Sequence, residues 1–409
     1  MARELPRFFP VAQSVPDDRL DDIAATLAVE FMKLDGRVRP GMRVAITVGS
    51  RGLSRMAEIV ALAVQELRKR GAEPFVIPAM GSHGGATAEG QREVLEGYGV
   101  TEESAGCPIR SSMETVQVGT TPNGCPVHCD ALAHAADGIL VFNRVKPHTI
   151  LRGELGSGLM KMLGIGLGKH AGAAAIHLLD VEKELIPAAR LALQHDPVLA
   201  GLALVENGLG QAAKLEVVLP DEIEEADKRL LQLARSYLPQ LPIEPLDALV
   251  VREMGKNISG TGVDPNVIGM HRRLGGEPDH AIRYVAALDL TEESHGNATG
   301  IGMLDLITER LRGKVDWEAT AMNCITSGFL GGAKQPLAQR TDRELFALLS
   351  SLIDGAPRMT LANDTAHLSR LQLSEALLDE ARANPRLTVL GEPASLPFDA
   401  GGALLAEGC

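Results

Sequence analysis

The first half of the chain alternates short apolar runs with amphipathic stretches. Apolar runs cover residues 43–48, 74–78 and 138–142, and each of them ends at a glycine-rich or polar segment. Between them, residues 54–70 and 87–98 place apolar side chains at helical spacing. A repeated order of strand, polar loop and helix predicts an α/β fold, in which helices cover both faces of a sheet.

A proline-rich segment marks the predicted domain boundary. A helix is predicted over residues 221–237, and three prolines fall in the following ten residues, LPQLPIEPLD. A chain of 409 residues also exceeds what one hydrophobic core usually holds. We therefore predict two α/β domains, residues 1–240 and 246–409, with a ligand cleft between them. The N-terminal domain is expected to be Rossmann-like and to carry the site chemistry, and the C-terminal domain to close over the substrate.

The second predicted domain repeats the α/β pattern. Strands are predicted over residues 248–251 and 283–290, and polar, glycine-rich loops follow them, GKNISGTGVDPNVIG and TEESHGNATG. A helix is predicted over residues 303–312.

Composition and charge exclude several classes of protein. No apolar run approaches the roughly 18 residues of a membrane helix, and the N-terminus does not resemble a secretory signal, so we expect a cytoplasmic protein without membrane contact. The net charge of −13 and the 3% aromatic content argue against a nucleic-acid partner. The five cysteines are odd in number and irregularly spaced, which argues against a disulfide framework.

Three loops that follow predicted strands each present a reactive side chain. They are residues 49–52 (GSRG), 81–85 (GSHGG) and 146–149 (KPHT). Ligands of open α/β sheets lie beyond the carboxyl ends of the strands, and consecutive N–H groups there can bind phosphate or carboxylate. One such loop alone would more simply be a tight turn. The residues expected to contact a cofactor through these loops are Ser50, Gly81, Ser82 and Gly84.

Four residues are candidates for reaction chemistry. His83 and His148 lie in matching loops and form a natural proton-transfer pair, although two structural histidines would be the simpler interpretation of a random pair. Lys161 has apolar neighbours that favour a neutral amine and covalent attachment, or it is a lysine that only reaches out of a packed helix. His177, in an alanine-rich predicted helix, could bind nickel, with His170 as its competitor or a core histidine as the alternative.

Two further motifs are weaker. Cys125, His128 and Cys129 resemble half of a zinc site, but no second pair follows at zinc spacing, and a turn before a strand is the simpler interpretation. The glycines of residues 164–168 follow no predicted strand and have no acidic partner downstream, so they do not predict a dinucleotide site.

The ordered set of Arg51, His83, His148, Lys161 and His177 resembles the lactate racemase superfamily, and the resemblance covers most of the chain. That family uses nickel pyridinium-3,5-bisthiocarboxylic acid mononucleotide, the nickel-pincer nucleotide, which separate biosynthetic enzymes make. The resemblance implies that Lys161 forms a thioamide link to the cofactor and that His177 ligates nickel. It also implies that His83 and His148 are general bases of opposite stereochemical sense, and that Arg51 binds the substrate carboxylate.

The implied activity is inversion of C2 in a small-molecule 2-hydroxy acid. One histidine removes the hydroxyl proton while hydride leaves the α-carbon for the pincer ring, and the planar keto acid then accepts hydride on either face. From the second domain, the resemblance implies that Lys256 and Asn257 bind the same carboxylate or a neighbouring hydroxyl. His295, in another polar loop there, is also expected to contact the substrate.

Some features depart from the lactate-specific pattern. The segment from His148 to Lys161 is longer than in the family's lactate enzymes, and Val48 stands where those enzymes carry an aspartate. The polar loops of the second domain suit a larger, polyhydroxylated substrate such as a sugar acid. Three alternatives stay open: an NAD(P)-dependent hydroxyacid dehydrogenase, a non-catalytic organic-anion binding protein and a metal-dependent hydrolase.

Overall fold

The computed structural model describes residues 4–151 and 153–405. The chain divides into two compact units, one of Pro16–Leu238 and one that joins Met1–Val15 to Pro239–Cys409. In the described residues the strands are β1 Phe8–Gln13, β2 Arg43–Val48, β3 Glu73–Pro78, β4 Thr115–Thr120, β5 Pro126–Asp130, β6 Gly138–Arg144, β7 Val198–Glu206, β8 Ala212–Val218, β9 Leu246–Met254, β10 Ile282–Leu290, β11 Leu306–Thr308, β12 Leu337–Gln339, β13 Met359–Ala362, β14 Arg370–Ser374 and β15 Leu387–Val389.

The α-helices of the described residues are α1 Ile23–Phe31, α2 Met56–Lys69, α3 Ala88–Gly97, α4 Glu102–Ala105, α5 Ala131–His134, α6 Leu159–Lys161, α7 Lys169–Leu178, α8 Val181–His195, α9 Ile223–Ser236, α10 Pro265–Ile268, α11 His271–Leu274, α12 Glu309–Lys314, α13 Trp317–Thr326, α14 Asp342–Ser351 and α15 Leu378–Ala383. The helices predicted over residues 54–70, 87–98 and 221–237 are confirmed as α2, α3 and α9. None of the described helices is long and apolar enough to cross a membrane.

The unit Pro16–Leu238 is built on a five-stranded sheet in the order β3-β2-β6-β7-β8. The first four strands are parallel, and β8 is antiparallel to β7. Numbered along the chain, this is the order 2-1-3-4-5, which is the flavodoxin-like order of doubly wound sheets. The α/β class is therefore confirmed, whereas the Rossmann-like expectation is not, because a dinucleotide-binding sheet begins 3-2-1-4.

Both faces of this sheet are buried, as parallel strands require. Along β2, Val44, Ile46 and Val48 join a core cluster that includes the apolar face of α2. Ala45 points the other way, into a cluster that includes the apolar face of α9. The alternation follows from the two-residue period of a strand and leaves the strand ends as the polar surface.

The order of strands sets the order of the three polar loops. Because β2 lies between β3 and β6, the loop with Arg51 leaves the sheet between the loop with His83 and the loop with His148. The crevice between β2 and β6 is the topological switch point, where doubly wound sheets bind their ligands.

The other unit contains an eight-stranded sheet in the order β12-β11-β10-β9-β13-β14-β1-β15. The strands from β12 to β13 are parallel and the remaining pairs are antiparallel. Residues 1–15 were expected in the N-terminal domain, but Phe9 in β1 pairs with Leu373 in β14. The reason is apolar burial, since Phe9 and Val11 are fully buried in the core of this unit.

Two local predictions were wrong. The predicted helix over 303–312 is interrupted, because the buried residues Leu306–Thr308 form β11 beside β10 and α12 begins only at Glu309. A run of three buried residues is too short to show a period. The segment with Cys125 and Cys129 is not a turn before a strand, since Pro126–Asp130 is itself β5 and both thiols are buried.

Candidate active site

A cavity lies at the carboxyl ends of β2, β3 and β6, and it encloses about 670 Å³ of empty space, part of it open to solvent. The polar side chains that line it belong to Ser50, Arg51, His83, Asn143, Arg144, Lys146, Ser157 and Lys161. The switch-point crevice is therefore strongly basic.

Arg51 enters the cavity from the loop after β2. The loop is held from outside by Tyr98, whose hydroxyl donates to the Ser50 carbonyl oxygen at 3.2 Å. Removal of the guanidinium from water lowers the pKa of Arg51, and the neighbouring Arg144 lowers it further. Arg144 is bound in turn to Glu206, so part of the positive charge in the cavity is neutralised. An anion would relieve the remaining repulsion.

His83 reaches the cavity from the loop after β3. Its ring Nδ1 lies 2.8 Å from the Met80 carbonyl oxygen. A carbonyl only accepts hydrogen bonds, so Nδ1 carries the proton of the neutral ring and Nε2 carries the lone pair. His83 is therefore set up to take a proton through Nε2.

A buried network supports the His83 loop. Lys169 is fully buried with a positive φ of 51°, and its amine lies 3.0 Å from Asp130 and 2.5 Å from the Pro78 carbonyl oxygen at the end of β3. The same amine donates to the side chain of Gln91 at 3.2 Å. Gln91 Nε2 donates to the carbonyl oxygens of Gly81 and His83, at 2.8 and 3.2 Å. A charged pair inside the protein thus fixes the backbone that carries His83.

Lys161 projects from a short turn whose start is anchored by a buried carboxylate. Asp227, only 3% exposed, accepts hydrogen bonds from the backbone N–H groups of Leu159 and Met160 at 3.0 and 2.8 Å. Burial raises the pKa of Asp227 to about 6, and the two N–H groups oppose the rise. After Lys161 the backbone continues as a π-helical turn over Met162–Gly166. Such turns occur often at functional sites.

The segment between His148 and Lys161 is a closed loop. The backbones of Lys146 and Ser157 exchange two hydrogen bonds, both 2.9 Å long, so the chain leaves and returns at one point. This bridge brings His148 Nε2 to 2.8 Å from Lys161 Nζ. The length of the segment, which departs from the lactate pattern, therefore does not separate the two residues.

The amine of Lys161 has an unusual electrostatic environment. Removal from water is the main reason that the pKa of Lys161 is lowered to about 8, and the positive charges of Arg51 and Lys146 add to the effect. At pH 7 about one amine in ten is then neutral, compared with fewer than one in a thousand for an ordinary lysine. A neutral amine is the nucleophilic form.

His177 lies at the end of α7, where part of its side chain is exposed. Loss of water around the ring lowers the pKa of His177, and the charge of Lys161 lowers it further, so the two groups are electrostatic neighbours. His170 is exposed at the start of the same helix. Within residues 4–151 and 153–405 no three His, Cys, Asp or Glu side chains are grouped as a metal site requires.

The other predicted site residues are placed less directly. Gly81 and Gly84 adopt φ values of 59° and 63°, which favour glycine, but they and Ser82 do not line the cavity. Their contact with a cofactor stays a prediction, as does that of Ser50, which does line it.

The substrate residues predicted from the second domain lie in the other unit, after β9 and β10. Lys256 Nζ donates to Asn323 Oδ1 at 2.7 Å, and Asn257 Oδ1 accepts from the Thr291 hydroxyl at 2.8 Å. His295 is exposed. Their role toward a substrate stays a prediction.

Two comparisons with known proteins find similarity to lactate racemases, one in the sequence of the N-terminal part and one in the fold. Residues 11–184 match the family model of the lactate racemase N-terminal domain, and that span includes Arg51, His83, His148, Lys161 and His177. The solved structure of the lactate racemase apoprotein from Thermoanaerobacterium thermosaccharolyticum has a similar fold, with a TM-score of 0.55. The sequences are 11% identical, and the match covers 88% of this chain and 98% of that chain. No curated protein sequence matches the chain. Residues 11–184 are thus similar to the N-terminal domain of lactate racemases, and the chain as a whole has a fold similar to that of a lactate racemase.

Proposed function

We propose that this protein is a racemase or epimerase that inverts C2 of a 2-hydroxy acid, with a nickel-pincer nucleotide attached to Lys161. The observation that carries the proposal is that Lys161 lines a basic cavity together with His83 and contacts His148 at 2.8 Å. Loops after β3 and β6 carry the two histidines, one on each side of the loop with Arg51.

The residues of the cavity fit this cofactor. Covalent attachment needs a neutral amine, and the pKa of Lys161 is lowered to about 8. A nucleotide phosphate and a substrate carboxylate need cations, and Arg51, Arg144 and Lys146 supply them. His177 alone is not a metal site, so the proposal assigns the remaining nickel ligands to the cofactor.

When bound, the nickel-pincer nucleotide supplies a position that can accept hydride from carbon and return it. The protein residues do the rest. Arg51 binds the substrate carboxylate through its two-pronged guanidinium and so fixes the α-carbon in the cavity. Both histidines can then reach the substrate hydroxyl, each for one enantiomer.

Hydrogen bonding assigns the proton roles. His83 has its ring proton on Nδ1, so its Nε2 can accept the hydroxyl proton of one enantiomer. His148 receives a hydrogen bond at Nδ1 from the Ile150 N–H at 3.2 Å, so the proton of its neutral ring is on Nε2, from where it can donate to the keto oxygen as the opposite enantiomer forms. In the reverse reaction the two roles exchange.

For the substrate, the lactate racemases suggest lactate, and the polar loops of the second unit suggest a larger sugar acid. Lys256, Asn257 and His295 are proposed to contact that larger part. Ser50, Gly81, Ser82 and Gly84 are proposed to contact the nucleotide through the backbone.

The test is a racemisation assay with protein produced alongside the cofactor biosynthetic enzymes. Single enantiomers of lactate and of longer 2-hydroxy acids, deuterated at C2, are incubated with the enzyme and separated by chiral chromatography. We expect inversion with the deuterium retained, because hydride transfer does not exchange it with water. Loss of deuterium to solvent, a requirement for added NAD(P), or tight binding without turnover of any acid would each contradict the proposal.

A further inference from the structure

The contact between Lys161 and His148 has a defined polarity. The Ile150 N–H donates to His148 Nδ1, so the lone pair of that nitrogen is occupied and the ring proton is on Nε2. Nε2 faces Lys161 Nζ at 2.8 Å. A hydrogen bond there requires Nζ to accept, which only a neutral amine with a lone pair can do.

The charges around Lys161 favour the same state. Cations and imidazoles surround the amine in the described part of the chain. Arg51 and Lys146 act on it by charge, His148 contacts it, and His177 on α7 is its electrostatic neighbour; His83 and Arg144 line the same cavity. Of the carboxylates on this side, Glu206 is bound to Arg144, and Asp227 is bound to the backbone of the turn. Loss of water and nearby positive charge both lower the pKa of Lys161, to about 8.

We propose that His148 has two successive tasks: it first keeps the Lys161 amine in its neutral form by donating to the amine lone pair, and it is released for proton transfer when that lone pair has formed the bond to the acylating group. The inference rests on the proposed function, because the acylating group is the thiocarboxylic acid arm of the cofactor. It concerns the protein before and during loading, which the racemisation chemistry does not describe.

The attachment step is balanced without an oxidant or a reductant. The lysine nitrogen bonds to the acid carbon, the carbon–oxygen bond breaks, and the oxygen leaves as water with one N–H proton and the proton of the acid. The product nitrogen is planar and of amide type, so it has an N–H to donate but no lone pair with which to accept. His148 Nε2–H therefore loses its acceptor at the moment of attachment. The same event that installs the cofactor makes this histidine available to the substrate.

The first test measures the amine itself, in the full chain produced without the biosynthetic enzymes. Short pulses of isotope-labelled acetic anhydride at pH 6 to 10 are followed by peptide mass analysis. We expect Lys161 to reach half its maximal rate near pH 8, about two units below the pKa of an unperturbed lysine. A half-maximal rate near that unperturbed value would overturn the proposal.

Variants isolate the contribution of His148. We expect H148A to raise the pH of half-maximal Lys161 acylation by about 0.7 unit, because the neutral amine loses one ordinary hydrogen bond. H148Q, which keeps an N–H near the position of Nε2, should restore most of the wild-type pH dependence. H195A, at the exposed end of α8, is the matched control and should leave the pH dependence unchanged. An unchanged pH dependence in H148A would contradict the first task.

The second task has its own readout, which does not depend on any variant that must fold. Long-range ¹H–¹⁵N spectra of histidine-labelled protein show which ring nitrogen carries the proton. At pH 9, where most of the Lys161 amine is neutral, we expect His148 to carry the proton on Nε2 before acetylation of Lys161 and to change its Nε2 signal afterwards, while His83 keeps its proton on Nδ1. An unaltered His148 signal would overturn the release step. Because both tests use unloaded protein, a failed racemisation assay would refute the proposed function without changing these results.

Discussion

The two histidines of the cavity are held by opposite means. His83 donates through Nδ1 to the Met80 carbonyl oxygen, and its loop rests on the buried network of Lys169, Asp130 and Gln91. His148 accepts at Nδ1 and faces Lys161 through Nε2, in a loop whose base is closed by two backbone hydrogen bonds between Lys146 and Ser157.

The difference teaches how one fold prepares two equivalent groups for complementary roles. The Met80 carbonyl oxygen holds the proton of the neutral His83 ring on Nδ1, which leaves the lone pair on Nε2. His148 instead takes its proton position from the backbone N–H of Ile150 and its present partner from Lys161. One side of the site is thus set by folding alone, whereas the other is completed by a chemical event.

The largest expected effect is on turnover. Each of H83A and H148A should lower the racemisation rate of loaded enzyme by about 10²- to 10⁴-fold, the usual contribution of a general acid or base. Cofactor content, measured by intact mass, sharpens the comparison, because only H148A should also change the pH dependence of Lys161 acylation. Equal effects of both variants on acylation would erase the distinction between the two sides.

The scaffold of His83 should be costly to disturb. K169M leaves Asp130 buried without its partner, and we expect about 3 to 5 kcal/mol lower free energy of unfolding, measured with urea. The matched control is K183M, in the exposed pair with Asp180, which should change stability by less than about 1 kcal/mol. A small effect of K169M would show that the His83 loop does not depend on this pair.

On the His148 side, removal of the buried charge of Lys161 should raise stability, whereas removal of Lys169 lowers it. Lys161 is protonated up to pH 10.5 when unfolded and only up to about pH 8 when folded. The unfolded chain therefore binds more protons between these values, so wild-type stability rises from pH 8 to 10.5 and is reduced below pH 8. We expect K161M to be more stable than wild type by about 2 kcal/mol at pH 7, with the advantage lost above pH 10.5. A less stable K161M at pH 7 would contradict the burial of this charge.

A smaller effect is expected at the anchor of the Lys161 turn. The pKa of Asp227 is raised to about 6 from 3.8, so its contribution to stability is fully present below pH 3.8 and is lost as the pH rises through 6. D227N, which cannot ionise, should remove this part of the pH dependence and lower stability by about 1 kcal/mol at pH 4 through one weakened hydrogen bond. Thermal unfolding of both proteins from pH 4 to 7 measures it, and parallel profiles would contradict the assignment.

The edge of the sheet that carries the site could be predicted from the sequence, because parallel strands bring the loops at their carboxyl ends to one edge. The runs at 43–48, 74–78 and 138–142 therefore predicted that Arg51, His83 and the 146–149 loop would be close. The strand order within the sheet could not be predicted, since no periodicity states which strands are neighbours. Pairing of β1 with β14 was missed for the same reason.

The supporting residues were harder to find. Asp227 lies in a helix that begins IEEADKR, where one buried carboxylate looks like its solvated neighbours. Lys169 had a signal that was overlooked: it stands among glycines and apolar residues, as Lys161 does. Apolar surroundings in the sequence thus predict that a lysine is buried, but they do not predict whether it forms an ion pair with a buried carboxylate.

The most direct test of the account is a peptide map of protein made alongside the cofactor biosynthetic enzymes, together with its nickel content. We predict a mass increment of one nickel-pincer nucleotide on the peptide with Lys161 and one nickel per chain, both absent from K161A. A nickel-free protein with an unmodified Lys161, active on a 2-hydroxy acid all the same, would contradict it.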